Sequence, residues 1–446
     1  MTRSKSDSMN SKTKAKKAAR IFLGFLLLAA PAAVQAQFSY TPNADGVTAT
    51  ITGYAYGPGS VGPVNIPSET NGLTVVSIGD GAFANLPPPG LLDPPGPDYY
   101  PTSATIPGSV TNIGASAFLY CPSLTNVTMA YGVLSIGADA FSQCSSLAGV
   151  TLPANLTSIG EGAFSYCPSL AGVTIPAGVT NIGLIPFVDC TNMQAINVDP
   201  TNLFYSSVDG VLFDSDQSTL LEYPGGRSGG YAIPGSVTST GEYAFFDCPN
   251  LTSVTIPGSV TNLGDYAFGF CASLTNATIP NSITSIPYYG FYWSGLTSII
   301  IPSSVTNIVG QAFQFCFNLH SVYFRGNAPA VGGWSFFNDT NATAYYLPGT
   351  TGWGAFSTNS GLPTAFWLLP NPLILNNGSS LGVQSNGFAF TISWATNVSV
   401  VVEACTNLAN PVWTALQTNA LTGGSFNFSD PQWTNFPGRY YRIRTL

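Results

Sequence analysis

Lysine disappears from this chain after Lys17, and charge of either sign is scarce throughout, at 7% of 446 residues. Beyond residue 36 nineteen acidic side chains face five basic ones, a net charge near −14. The five are all arginines: Arg227, Arg325, Arg439, Arg442 and Arg444. A surface so poor in cations cannot neutralise a run of phosphates, which sets nucleic acid and anionic membranes aside as partners. Its solubility rests on Ser, Thr, Asn and Gly, as in wall or matrix proteins. One histidine, His320, and scattered carboxylates leave little for acid–base or nucleophilic chemistry and no converging set of metal ligands, so neither an enzyme nor a cofactor is expected. The stretch Asp214-Ser215-Asp216 offers too few oxygen donors for calcium and reads as a polar turn.

Seven of the twelve basic residues fall within the first twenty positions. The apolar run Ile21 to Ala30 follows, and Ala33-Val34-Gln35-Ala36 supplies small residues before Gln37. Charged start, short apolar middle and small-residue exit describe a secretory signal peptide over residues 1–36. No later stretch approaches the 18 apolar residues that a membrane span needs.

What the chain has in abundance is repetition. Ala117-Phe118-Leu119-Tyr120-Cys121 returns 23 residues later as Ala140-Phe141-Ser142-Gln143-Cys144, then as Ala163-Phe164-Ser165-Tyr166-Cys167. Phe187/Cys190, Phe245/Cys248, Phe268/Cys271 and Phe313/Cys316 continue the beat, and Phe291 keeps it with Ser294 in place of the cysteine. A fixed period of this length marks a solenoid, whose coils bury their apolar faces only by stacking on one another. Within one unit, Val254 and Ile256 alternate with Ser253 and Thr255 as a short half-buried strand, which Pro257-Gly258 ends. Val260 and Leu263 make a second inward pair, and Phe268 drives a ring into the interior, to stack on the ring of the neighbouring coil.

The residues that close the first strand, Ile106, Met129, Leu152, Ile175, Val198, Ile233, Ile256, Ile279, Ile301 and Phe324, are spaced by 23 except for intervals of 35 and 22. The long interval holds Asp209-Gly210-Val211-Leu212-Phe213, which predicts a β-hairpin near 205–226 that leaves the coil. A similar excess between Phe83 and Phe118 carries a proline-rich loop, Pro87 to Pro101. The expected organisation is an N-terminal cap and first repeat over 37–105, a solenoid over 106–325, a cap and linker over 326–370, and a last module over 371–446. In that module Phe388, Phe390 and Ile392, then Val398, Val400 and Val402, alternate as in a small β-sandwich, similar in pattern to fibronectin type III-like modules. Arg439, Arg442 and Arg444 fall at its last strand, where charge protects an edge from aggregation; a recognition tag for surface attachment is the alternative.

Units such as Ile106-Pro107-Gly108-Ser109-Val110-Thr111-Asn112-Ile113-Gly114, followed by Ala-Phe and Cys, resemble the BspA-type (Treponema pallidum-like) leucine-rich repeats over roughly residues 60–325. The resemblance implies a right-handed, β-rich solenoid with few or no long helices. It also implies a secreted or cell-surface protein used for adhesion and protein binding.

Cys121, Cys144, Cys167, Cys190, Cys248, Cys271 and Cys316 share one column of the repeat. Seven members cannot pair off completely, so buried thiols are expected, with disulfides between adjacent coils as the alternative. Two columns are candidates for binding. Two residues after the core ring stand Tyr120, Tyr166, Phe270, Trp293 and Phe315, an aromatic row suited to a glycan or protein partner unless it only seals the coil edge. On the concave strands stand Thr128, Thr151, Thr174, Thr255, Thr278 and Tyr323, although threonine is common on any half-exposed strand. The reading favoured is an extracellular, non-enzymatic binding or adhesion protein for an unidentified protein or polysaccharide. A structural surface-layer or matrix component is the alternative, and a carbohydrate-processing accessory protein the third.

Overall fold

The computed structural model describes residues 37–55, 62–84, 101–347, 349–367, 373–375, 381–384, 387–393, 398–421 and 426–445. The expected signal peptide, most of the proline-rich loop and the junction after residue 367 lie outside them. The chain divides into two compact units, Met1–Ser215 and Asp216–Leu446.

The first unit opens with an antiparallel pair, Phe38–Pro42 on Thr48–Tyr54, and the latter runs parallel to Leu73–Ile78. This is the cap: Phe38 and Tyr54 lie against Phe83, the first ring of the column. Coils then follow, each made of two short strands and a turn. One parallel wall is built from Gly62–Asn65, Pro101–Ile106, Asn126–Met129 and Gly149–Thr151, and Gly172–Ile175 pairs likewise with Ala195–Val198. The second wall carries Asn112–Ile113, Ser135–Ile136, Ser158–Ile159 and Asn181–Ile182. Alternation sets the burial: in Asn126–Met129, Val127 and Met129 face inward while Asn126 and Thr128 face out.

Inside, Phe83, Phe118, Phe141, Phe164 and Phe187 stack with centroids 4.7, 5.1, 5.3 and 5.7 Å apart. Strand spacing in a sheet, about 4.7–4.9 Å, dictates this interval. The rings are nearly parallel (4–13°), as expected when consecutive coils repeat one conformation.

The turn bearing each ring is a third hydrogen-bonded side. Ser116, Phe118 and Tyr120 donate their amides to the carbonyls of Ala138, Ala140 and Ser142 in the next coil, at 2.7–2.9 Å. Residues two before and two after the ring take the left-handed conformation: Ser116 and Tyr120, Asp139 and Gln143, Ile185 and Asp189. Each such non-glycine residue costs roughly 1–2 kcal/mol, which the inter-coil bonds offset.

The hairpin forms as Tyr205–Val208 against Val211–Asp214, but it does not leave the coil. Val211, Leu212 and Phe213 are buried, because an apolar run of that size is more stable in the core than in water. Asn202 ties down the approach: its amide group donates to the carbonyls of Pro176 and Val179, and its carbonyl accepts from the amides of Phe204 and Tyr205.

The second unit repeats the plan. A seven-stranded parallel wall runs from Gly229–Ala232 through Leu251–Thr255, Asn276–Thr278, Ser298–Ile301, Ser321–Phe324 and Thr343–Tyr346 to Thr364–Phe366. Its ring column is Tyr223, Phe245, Phe268, Phe291, Phe313 and Phe336, at 4.9–5.3 Å. The coils thus continue past Phe324, where the sequence beat fades. The far end is closed by the helix Trp353–Ser360, bounded by left-handed Gly352 and Gly361. Its buried faces, Trp353 and Phe356, pack on Phe324 at 5.0 and 5.2 Å, and Phe356 also meets Phe336.

The C-terminal strands form two small sheets. Leu373–Leu375, Gly382–Gln384, Gly387–Ser393 and Phe426–Asp430 make one; Val398–Cys405, Thr414–Leu421 and Tyr440–Thr445 make the other. Phe390, Ile392 and Phe428 of the first pack with Val400 and Val402 of the second, a β-sandwich core.

Candidate binding surface

All seven column cysteines are buried free thiols. The Sγ of Cys144, Cys167, Cys190, Cys271 and Cys316 donates to the main-chain carbonyl of the ring residue one coil earlier, at 2.9–3.3 Å. The column is therefore structural, as are the eight phenylalanines above it, Phe118 to Phe313, none more than 2% exposed.

The residue two after each ring sits on the outer side of the turn. In the first unit the column is broken: Gln143 stands between half-buried Tyr120 and exposed Tyr166. In the second unit it begins with Asp247 and is then aromatic in three successive coils. Phe270 stacks on Trp293 at 5.6 Å, and Trp293 meets Phe315 at 5.2 Å. Sequence reasoning left out most of what surrounds this row. Phe246 lies edge-on to Phe270 at 5.2 Å, Phe317 packs on both Trp293 and Phe315, and Phe337 closes the row beyond Phe315. Behind it, Tyr243, Tyr266 and Tyr289 stack at 4.8 and 4.5 Å in the column two before the ring. Tyr292 bridges the two rows through Tyr289 and Phe315. Burial, then neighbouring Tyr289, pushes the Tyr266 hydroxyl above its ordinary range, so that phenol stays neutral. A signal existed in the repeat: the position two before the ring reads Tyr, Tyr, Tyr over three successive units.

The patch combines fixed rings with open ones. Phe270 and Phe315 are half-buried, while Trp293, Phe317 and Phe337 are 43%, 50% and 47% exposed. Such rings offer apolar area without a large loss of side-chain entropy on binding.

The strand column lies where the alternation puts it. Thr128 and Thr151 are Cα partners, Thr174 pairs with Asn197, and Thr255, Thr278, Ile300, Tyr323 and Tyr345 follow one another across the second unit. The five threonines are exposed. Tyr323 is half-buried, stacked on Tyr345 at 5.1 Å and against Trp367 at 4.9 Å.

The three C-terminal arginines are engaged within their own module. Arg442 and Arg444 both reach Glu403, at 2.7 and 3.1 Å, and Arg439, just before the last strand, lies 2.9 Å from Asp430. Arg442 also covers the Trp413 ring at 4.3 Å. The hydrogen bond from Arg442 holds Glu403 below its ordinary carboxylate range. Asp216 accepts the amide of Ser218 in an ordinary turn. Among the described residues no three His, Cys, Asp or Glu side chains converge as for a metal, and no helix is long and apolar enough to cross a membrane.

Likeness to known proteins follows the coils. A leucine-rich cell surface protein from Faecalibacterium prausnitzii is 29% identical, with 73% of this chain and 97% of that one covered and a TM-score of 0.49. The pneumococcal vaccine antigen PcpA is 22% identical over 75% of this chain and 98% of its own, with a TM-score of 0.57, a likeness of fold. The leucine-rich-repeat protein of T. pallidum is 26% identical over 53% and 88%, with a TM-score of 0.35. No curated protein sequence matches. The family described as the BspA type leucine rich repeat region matches at residues 100–208 and 231–352, more than half of the chain, and to that family this protein belongs.

Proposed function

We propose that this protein is a non-enzymatic binding protein of the bacterial cell surface, and that it grips a protein partner with the aromatic edge of its second unit. One observation carries the reading: Phe270, Trp293, Phe315, Phe317 and Phe337 form a continuous, partly exposed ring surface in which each ring touches at least one other. Exposed aromatic clusters of this kind mark interaction sites. Stability does not demand it, since the first unit builds the same coil with Gln143 and Asp189 at equivalent positions.

The test is saturable binding of the full chain to a panel of purified extracellular matrix proteins and cell-surface extracts, beside the double variant Phe270→Ala, Trp293→Ala. Loss of binding with an unchanged unfolding transition supports the reading. Equal binding by both rejects the surface, and ordered self-assembly without any partner favours the structural alternative.

A further inference from the structure

Most coils end their first strand with an Ile-Pro step. At two places the proline is replaced by a charge: Asp199 follows Val198 in the first unit, and Arg325 follows Phe324 in the second. Either exchange adds an inter-coil bond that proline cannot donate, from the amide of Asp199 to the carbonyl of Ile175 and from that of Arg325 to Ile301. What changes is the strand face. Beside Arg325 lies an open hollow of about 570 Å³ that Asn276, Thr278, Asn281, Ser298 and Ile300 also line. Beside Asp199 lies a comparable hollow of about 670 Å³, with Thr151, Thr174 and Asn197 in matching places.

Arg325 is exposed and, among the described residues, has no carboxylate partner, whereas the three C-terminal arginines are all paired. Among the described residues that line its hollow none is acidic. Two residues before it on the same face stands Tyr323, stacked with Tyr345 and Trp367 and next to Ile300 in the sheet. A guanidinium fork and amide and hydroxyl groups at strand spacing line one place, and the ring wall starts one strand further on, at the Cα partner of Ile300.

We infer that this hollow binds a glycan through a single carboxylated sugar at its end. The fork of Arg325 takes the carboxylate in a two-point, charge-assisted contact. Asn276, Asn281 and Ser298 meet sugar hydroxyls, and the Tyr323 side of the hollow faces the apolar faces of the sugar rings. The net charge near −14 sets the class of ligand: a polyanion is repelled by the chain as a whole, whereas one carboxylate on a neutral glycan is not. The first-unit hollow excludes the same ligand. Hydrogen bonds from Thr201 hold Asp199 below its ordinary range, so that site presents a fixed negative charge.

The experiment is titration of the full chain with 3′-sialyllactose and with lactose, followed by saturation-transfer NMR and calorimetry. The expected result is saturable binding of the acidic sugar, none of its neutral parent, and weakening by about tenfold or more in Arg325→Gln with an unchanged unfolding transition. Trp293→Ala should leave this binding intact, which separates it from the protein-binding surface proposed above. Equal binding of lactose, or full binding by Arg325→Gln, overturns the inference. So does preferential Arg325-dependent binding of a tetraglutamate peptide, which would assign the hollow to an acidic protein.

Discussion

Asp339 holds the place in its coil that Cys316 holds in the coil before, and its carboxyl is shut in beside that thiol. Among the described residues neither carboxyl oxygen has a side-chain or main-chain donor in hydrogen-bonding geometry. Burial pushes the acid up from 3.8 to about 8. Burial also raises the Cys316 thiol, and the nearby carboxyl adds to it. A proton kept to about pH 8 in the folded chain but released near 3.8 in the unfolded one gives stability that is whole below pH 4. That stability declines as pH rises toward 8, by an amount on the order of a few kcal/mol. Denaturant unfolding of the second unit at pH 5 and pH 8 should show this slope, and Asp339→Asn should flatten it by stabilising the protein at pH 8.

The thiol column makes a chemical prediction. Cys144 is fully buried, and its burial raises the thiol well above its ordinary range, so little thiolate forms at neutral pH. In the native protein none of the eight cysteines should react with a maleimide within hours, and all eight should react in denaturant. Mass spectrometry counts the labels. Fewer than eight in denaturant without reductant would mean that some neighbouring coils are bridged.

How much of this was legible follows from what repeats. The inward places of Val254, Ile256, Val260, Leu263 and Phe268 were set by spacing alone, because each must face the core in every coil. The elements that occur once were harder to see. Val211-Leu212-Phe213 looked like an excursion because it breaks the 23-residue count, yet its apolarity draws it into the core. The residues after Phe324 read only as an irregular cap because Phe336 has Asp339 where the beat expects cysteine, and the helix Trp353–Ser360 seals an end with no periodic pattern of its own. In the candidate surface, Trp293 and Phe270 were legible as a column. Phe317 and Phe337 join them only through the fold, which sets residues of separate coils side by side.

Ile185 has φ 48°, a conformation that crowds a β-branched side chain, and the equivalent place one coil earlier is Gly162 at φ 59°. Ile185→Gly should therefore stabilise the first unit by about 1 kcal/mol, the strain outweighing the freedom that glycine adds to the unfolded chain. Gly162→Ile should do the reverse, and more strongly, since a Cβ at Gly162 would lie 2.5 Å from the Asp139 carboxylate. Thermal unfolding of the two variants reads the sign directly.

Phe164 and Trp293 should respond to truncation in opposite ways, although both are large rings in the same repeat. Phe164 is fully buried, with ring neighbours Phe141 and Phe187 at 5.3 and 5.7 Å, so Phe164→Ala leaves a cavity that stacked coils cannot close without breaking their ladders. The cost should be about 3–5 kcal/mol. Because each coil is held only by its neighbours, the damage should spread along the column rather than stay local. Hydrogen exchange should show lost protection at the inter-coil amides of Phe141 and Phe118 as well as at the mutated turn. Trp293 is 43% exposed, and its removal leaves the Phe268–Phe291–Phe313 column untouched, so Trp293→Ala should cost about 1 kcal/mol or less. A cost near that of Phe164→Ala would mean that Trp293 seals the coil and is not held in place for a partner.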